Sequence, residues 1–490
     1  MSYKDVDTKI VLLITIVLGV LLFIAFCNSL VNTKAAEATV DRNYPESNLP
    51  SSTGPNITDP HLKAEVVFRG LAYPTDIAFL DSNDILVIEK DTGLVRRIVN
   101  NTMMKEPLLD VNVATFAHRG LLGIAISNYS SYLDSTLTSA PSDRILNSMI
   151  GIQGNKTLAP DSNSPKYVFL YFTAIRGKDG EDITQGKLPV GNVVYRYTFT
   201  NDTLIEPKLL LNLPALPGAI GNGGKLLINP YDSNLYVTVG GMGINGHETK
   251  AQNVWNGKDP DGTSGILVVT QDGKPVSQKG ILGDRDPINM YYAYGIWNSF
   301  GIDFDPVTRK LWDTENGVIF GDEINLVEPG FNSGWNKIDG IWLRGNPLAD
   351  AEDYVAPRET DNLLVDFDGK GKYIPPKFTW FDDIGPTAIK FFNSDKLGDH
   401  YQDDIFVGDI INGNIYRFEL DKQRTELLLP INSSLSDKVV SSNENDDKII
   451  FARGFGGITD IEMGPDGYLY VLTFNDRLGT IYRILTNGSS

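Results

Sequence analysis

From Lys63 onward one unit recurs along the chain: an apolar strand, a polar turn, a second apolar strand, another turn and a third strand. Its clearest copies are TDIAFLDSNDILVIEKDTGLVRRI from Thr75, GGKLLINPYDSNLYVTVGG from Gly223 and FGIDFDPVTRKLWDTENG from Phe300. Two more are TAIKFFNSDKLGDHYQDDIFVGDIINGNIYRFEL from Thr387 and ITDIEMGPDGYLYVLTFNDRLGTIYRIL from Ile458. A sixth starts at Arg119 with RGLLGIAI and resumes after an insertion with KYVFLYFTA and GNVVYRYTF. The strands are β-rich and bounded by Gly, Asp, Asn and Pro, and helix-period patterns are scarce. A small sheet that is apolar on both faces is not stable alone, but copies arranged around an axis bury each other's faces. The repeat therefore predicts an all-β fold, a six-bladed β-propeller over residues 63–486, with short blades and long inserted loops. The segment AEVVF, Ala64–Phe68, is placed to complete the last sheet and close the ring. A pair of β-sandwiches is the other architecture open to such strands, and the likeness between copies weighs against it.

The N-terminus reads differently. Ile10–Phe26 is an apolar run of 17 residues, just enough to cross the hydrocarbon core of a bilayer. Residues 10–31 are expected to form a transmembrane anchor or a signal peptide, the latter supported by the A-x-A pattern Ala36-Glu37-Ala38. Lys4 and Lys9 place residues 1–9 in the cytoplasm by the positive-inside rule. Either reading puts the body on the extracytoplasmic face, membrane-anchored or secreted. Residues 32–62, rich in Ala, Asn, Ser, Pro and Thr, read as a flexible stalk. Glycosylation sequons at Asn56, Asn100, Asn128, Asn155, Asn201, Asn432 and Asn487 agree with that side of the membrane.

A net charge of −19 excludes a nucleic-acid partner, because phosphate binding needs a basic surface. The single cysteine, Cys27, allows no intrachain disulfide. Four histidines argue against a zinc site and leave an oxygen-ligated calcium site open. The acidic stretches DPDG (Asp259–Gly262) and GDRDP (Gly283–Pro287) lack EF-hand spacing and read as turns.

Tyr294–Trp335, YGIWNSFGIDFDPVTRKLWDTENGVIFGDEINLVEPGFNSGW, carries a closer likeness. With RGLLGIAI, NGGKLLINP (Asn222–Pro230) and DIEMGPDGYLYVLT (Asp460–Thr473) it resembles the glucose/sorbosone dehydrogenase family, over about Val66 to Leu485. That family consists of soluble aldose dehydrogenases that use pyrroloquinoline quinone (PQQ). The resemblance implies the same six-bladed fold, PQQ at the axis held by arginines, and a calcium ion on its oxygens. It also implies a histidine base that takes a proton from a sugar hydroxyl as hydride passes to PQQ. A tri-anionic cofactor needs guanidinium forks, and such a base titrates near neutrality.

The chain departs from that pattern. Gly221, in GNGG, holds the position of the base histidine, and Gly241 that of an acid. Trp297, in GIWNSFG, stands where a cofactor arginine is expected, and Gly457 and Thr459 take two further arginine positions. His118 and His247 are then the candidate catalytic residues. Arg119, Asn222, Lys225, Trp297 and Asn298 are the candidates for cofactor binding, and the carbonyls of Gly317 and Val318 for calcium. Three functions are open: a PQQ-dependent sugar dehydrogenase, a non-catalytic propeller that binds a glycan or a cell-surface partner, and a calcium-dependent lactonase-type hydrolase. At least two of Arg119, Lys225, Arg285 and Arg453 converging with His118 or His247 on a PQQ-sized cavity near the Gly317 carbonyl favours the first. A mouth filled by Trp297 and Ile220 favours the second.

Overall fold

Each copy of the repeat supplies one inner strand, and these begin where the sequence turns apolar: Pro74–Asp81, Leu121–Asn128, Gly223–Ile228, Ser299–Phe304, Pro386–Phe391 and Gly457–Met463. The computed structural model describes residues 54–128, 166–177, 181–243, 246–343, 363–430, 434–441, 446–475 and 478–488. The apolar run at 10–31, its N-terminal flank and most of the expected stalk lie outside these residues. Among the described residues no helix is long and apolar enough to cross a membrane.

From each inner strand an antiparallel meander runs outward, giving six sheets of four to six strands among the described residues. The second sheet, for example, runs Leu121–Asn128, Lys166–Ala174, Gly191–Thr200, Thr203–Leu213. Each inner strand touches the next one round, and the sixth touches the first, so the ring closes. The chain is an all-β propeller, as the repeat predicts.

The strands are apolar on both faces because both faces are buried. Successive side chains on a strand point to opposite sides. Tyr167, Phe169 and Tyr171 pack against Leu226, Val237 and Leu267 of the third sheet. Val168, Leu170 and Phe172, the alternate residues, pack against Leu86, Ile88 and Val95 of the first. The same division recurs at Leu469–Asn475, where Leu469 and Val471 face the fifth sheet and Tyr470 and Leu472 face the first. Six such apolar clusters fill the gaps between neighbouring sheets.

Closure uses both ends of the body. Leu62–Ala72 lies antiparallel to Leu478–Thr486, with Leu62 opposite Thr486 and Val66 opposite Tyr482, and completes the sixth sheet as expected for AEVVF. Order begins upstream of residue 63: Asn56–Ile57 pairs with the fifth sheet at Ala452 and Arg453, and Ile57 is buried there. An N-terminal strand locked onto the C-terminal hairpin joins the two ends of the ring without a covalent bond. Leu71 is fully buried in the gap between the sixth and first sheets. Leu71→Ala is expected to lower unfolding free energy by about 2–5 kcal/mol. Val66→Ala, on the same strand but 37% exposed, is expected to stay within about 0.5 kcal/mol. Urea denaturation measures both.

Candidate functional site

The turns entering the third and fourth inner strands meet the loop leaving Leu235–Val239 at one end of the propeller axis. Backbone bonds knit them: Gly241 N–H donates to the Trp297 carbonyl (2.7 Å), Met242 to Gly221 (3.0 Å) and Gly243 to Ile220 (3.0 Å). Trp297 is only 4% exposed, and its ring lies 4.5 Å from that of buried Trp335. The two indoles, Val318 and half-buried Ile220 form one apolar cluster at the mouth. Gly221 has φ +68°, and a Cβ there would lie 3.0 Å from Trp297 Cη2 and 3.1 Å from Cζ2. A Cβ at Gly241 would lie 2.8 Å from Trp335 Nε1 and 2.9 Å from Trp297 Cε3. Three of the five departures noted in the sequence, at positions 221, 241 and 297, are thus one packing solution. The indole occupies the space that side chains at 221 and 241 would need.

Beneath the indole the polar groups serve the scaffold. Trp297 N–H donates to Glu315 Oε1 at 2.5 Å. The Ser333 hydroxyl lies 2.6 Å from Glu315 Oε2 and 3.1 Å from Glu323 Oε2, and the two carboxyls sit on directly paired residues. Burial, with the carboxyls of Asp313 and Asp339 nearby, pushes Glu323 up to about 8. Burial and the neighbouring Glu323 and Asp313 push Glu315 well above the ordinary carboxyl range. Asn298 Oδ1 accepts from Gly223 N–H (2.9 Å), and Asn222 bridges Asn192 and the Ala219 carbonyl. Asp322 accepts from Gly317, Ile384 and Gly385 N–H, which fixes the Gly317–Val318 turn.

Lys225 points into the axis. Its Nζ lies 2.9 Å from Asp76 Oδ1, 2.6 Å from Asp460 Oδ1 and 3.7 Å from Glu462 Oε1. Lys390 Nζ continues the chain, 2.8 Å from Glu462 Oε2 and 3.4 Å from Asp303 Oδ1. The remaining oxygens accept backbone N–H groups: Asp76 from Ile124, Asp460 from Ile77, Asp303 from Phe391. All six inner strands contribute to this buried network. Burial alone would lower the Lys225 ammonium, but the carboxylates of Asp460, Asp76 and Glu462 outweigh it and hold it well above its ordinary value. Burial pushes Asp76 up, against the pull of Lys225, and the adjacent Asp460 adds to the rise.

The two candidate histidines differ in what their ring nitrogens do. Gly221 N–H donates to His118 Nδ1 at 3.3 Å, so the neutral ring carries its proton on Nε2. His247 Nδ1 lies 2.7 Å from Asp261 Oδ2, so in the neutral tautomer that donates to this carboxylate the lone pair is on Nε2. That Nε2 is buried, with no hydrogen-bond partner among the described residues. Asp261 is itself held by the Thr263 N–H and hydroxyl. His247 is linked to the mouth through Gln252, which accepts from His247 N–H and donates to the Gly241 carbonyl.

The residues present do not fit PQQ. Buried Arg119 donates to the carbonyls of Ala215 (3.4 Å) and Gly218 (3.3 Å), with Asp182 3.9 Å away. Lys225 is committed to the axis, Arg285 lies 3.7 Å from Asp259, and Arg453 pairs with Asp447. Among the described residues no set of guanidinium forks converges at the mouth, where the two indoles, Val318 and Ile220 pack together. Calcium takes six to eight oxygens, and the Gly317 and Val318 carbonyls alone do not supply them. Among the described residues no group of three or more His, Cys, Asp or Glu is arranged to hold a metal. A groove of about 440 Å³, lined by Tyr401, Arg417 and Lys448, lies on the outer strands of the fifth sheet and includes no candidate residue.

The sequence reading missed Asp76, Asp303 and Lys390, although a signal was present. Most copies carry charge inside an otherwise apolar inner strand: TDIAF, GGKLL, GIDF, AIKF, TDIEM. Asp261 was read as a turn residue, which it is, but it is also the partner of His247. Glu315, Ser333 and Trp335 were hidden because only folding brings the segment's ends together.

Lys225→Met leaves buried carboxylates without their cation and is expected to cost about 3–5 kcal/mol at neutral pH. The loss should shrink as falling pH protonates Asp76, whose carboxyl burial holds well above its ordinary range; denaturation at several pH values measures it. For Glu323 the folded pKa is raised, so its contribution is full below the ordinary carboxyl range and is lost as pH rises toward about 8. Glu323→Gln should therefore match the parent near pH 4 and exceed it in stability at pH 8.

Comparison with known proteins places the chain. Residues 133–483 match the family model for glucose/sorbosone dehydrogenases. The chain is 24% identical over 419 residues to an uncharacterized protein of Synechocystis, covering 84% of each. It is 28% identical over 326 residues to an aldose sugar dehydrogenase of Escherichia coli, covering 64% of this chain and 72% of that one. The PQQ-bound aldose sugar dehydrogenase of Streptomyces coelicolor shares the fold at 19% identity, with a TM-score of 0.55 over 89% of this chain and all of the other. The chain belongs to the glucose/sorbosone dehydrogenase family.

Proposed function

We propose that this chain keeps the carbohydrate-handling propeller of its family without its quinone chemistry, and binds a sugar or polyol at the mouth. We read the six sheets as six blades. One observation carries the proposal: the Trp297 indole stands where the family pattern puts a cofactor arginine, and it also fills the space at Gly221 that a base histidine would need. A PQQ tri-anion entering there would meet apolar rings and, among the described residues, no convergent cations. Removing a general base is worth about 10²–10⁴ in rate, and His118 does not replace it, since its Nδ1 already accepts the Gly221 N–H.

A calcium-dependent hydrolase at the axis has less support. The axial carboxyls of Asp76, Asp303, Asp460 and Glu462 already face two ammonium groups. For location we propose the extracytoplasmic side. The apolar run at 10–26 supports it, as do the sequon residues Asn56, Asn100, Asn201 and Asn487, all exposed.

Calorimetric titration of the full-length protein with PQQ and calcium tests the proposal, together with dye-linked oxidation of an aldose panel. We expect no heat from PQQ and no dye reduction. Micromolar, calcium-dependent PQQ binding with sugar oxidation would overturn it.

A further inference from the structure

Five of the six tryptophans are buried; Trp255 is 51% exposed. It stands at the tip of a tight turn in the loop between Leu235–Val239 and Gly265–Val269, the loop that also carries His247 and leaves the mouth at Gly241. The turn is braced from below. Gly257 N–H donates to Val254 O (2.9 Å), Lys258 N–H to Glu248 O (3.0 Å) and Lys250 N–H to Lys258 O (2.8 Å). At its base the fully buried Asn253 donates to the Trp335 carbonyl (2.6 Å) and to Asn332 (3.0 Å). The turn is therefore fixed to the backbone of Trp335, whose indole packs on Trp297 at the mouth.

A large aromatic ring held half in water by a rigid turn does little for the core. Its rigidity is useful to a ligand, because a ring with few torsions loses little entropy on contact. Its neighbours along the chain are polar. Asn256, Lys258, Asp259 and Glu248 are exposed, and Lys250 pairs with Asp259 at 3.0 Å. A protein hot spot needs a surround that excludes water, and this one does not. An exposed π face whose chain neighbours are hydrogen-bonding groups matches a pyranose, whose ring C–H groups form an apolar face and whose hydroxyls lie at its edge.

We infer that Trp255 is the stacking platform of a saccharide-binding site on the rim of the propeller mouth. The inference rests on the reading of the chain as a sugar-binding propeller, and it adds the residue and the ring-face mode of recognition. As the exposed member of the set, Trp255 carries the acrylamide-accessible part of the fluorescence.

The test titrates the full-length protein with cellohexaose, maltohexaose and chitohexaose at millimolar concentration, following acrylamide quenching. One of these sugars is expected to protect the accessible fraction and shift emission to the blue. Calorimetry with the same sugar should show Trp255→Ala weakening binding by about tenfold or more, with Trp255→Phe retaining part of the affinity and circular dichroism unchanged in both. Sugar binding that is equal in Trp255→Ala and the parent overturns the platform and leaves the sugar-binding reading standing. Protection by the apolar dye bis-ANS, with no response to any sugar, marks a protein-docking tip and overturns both. PQQ binding is scored separately and bears on the absence of quinone chemistry alone.

Discussion

Two ammonium groups, Lys225 and Lys390, sit on the propeller axis among the carboxyls of Asp76, Asp303, Asp460 and Glu462. The carboxylate oxygens left over accept backbone N–H groups from neighbouring inner strands. A buried network of this kind adds little net stability over apolar filling, because desolvation offsets the attraction. Its effect is geometric: every contact crosses from one sheet to another, so a sheet out of place would strand a charge. The apolar clusters between sheets tolerate small displacements more readily. The ring is therefore held together by hydrophobic burial and held in register by charge.

The mouth stands on that frame and obeys a different rule. Trp297, Gly221 and Gly241 are three changes of residue type that share one volume. With the indole in place, a side chain at either glycine position would meet ring atoms at 3.1 Å or less. Fold and site are separable for this reason. The sheets depend on apolar alternation, which is intact, while a quinone site would need convergent cations and a base, which the described residues of this mouth do not bring together. The His247–Asp261 pair shows that acid–base groups persist nearby, tied to Gly241 through Gln252.

Much of the fold was legible from the residues. The six inner strands start within three residues of the repeat copies read in the sequence, and AEVVF pairs where its composition placed it. Strand periodicity is a local property, and the backbone obeys it wherever both faces find apolar neighbours. The candidate site was legible in part. Gly221, Asn222, Trp297, Asn298 and Val318 do meet at the mouth, while Lys225 lies in the axis. A lysine preceded by two glycines carries no local sign of which way it points. That depends on which acids the other five sheets bring to meet it.

The sequence by itself determined that one strand unit recurs, which segments become strands and where the chain departs from the motifs it resembles, because each is written in a short window. Only the tertiary structure decided that Trp297 fills the space at Gly221, that Lys225 is spent on Asp76 and Asp460, and that Trp255 remains in water. These are facts about volume and charge shared by segments far apart in the chain. Asp76 and Asp460 meet one ammonium because the first and last sheets are neighbours in a closed ring, and no linear reading contains that adjacency.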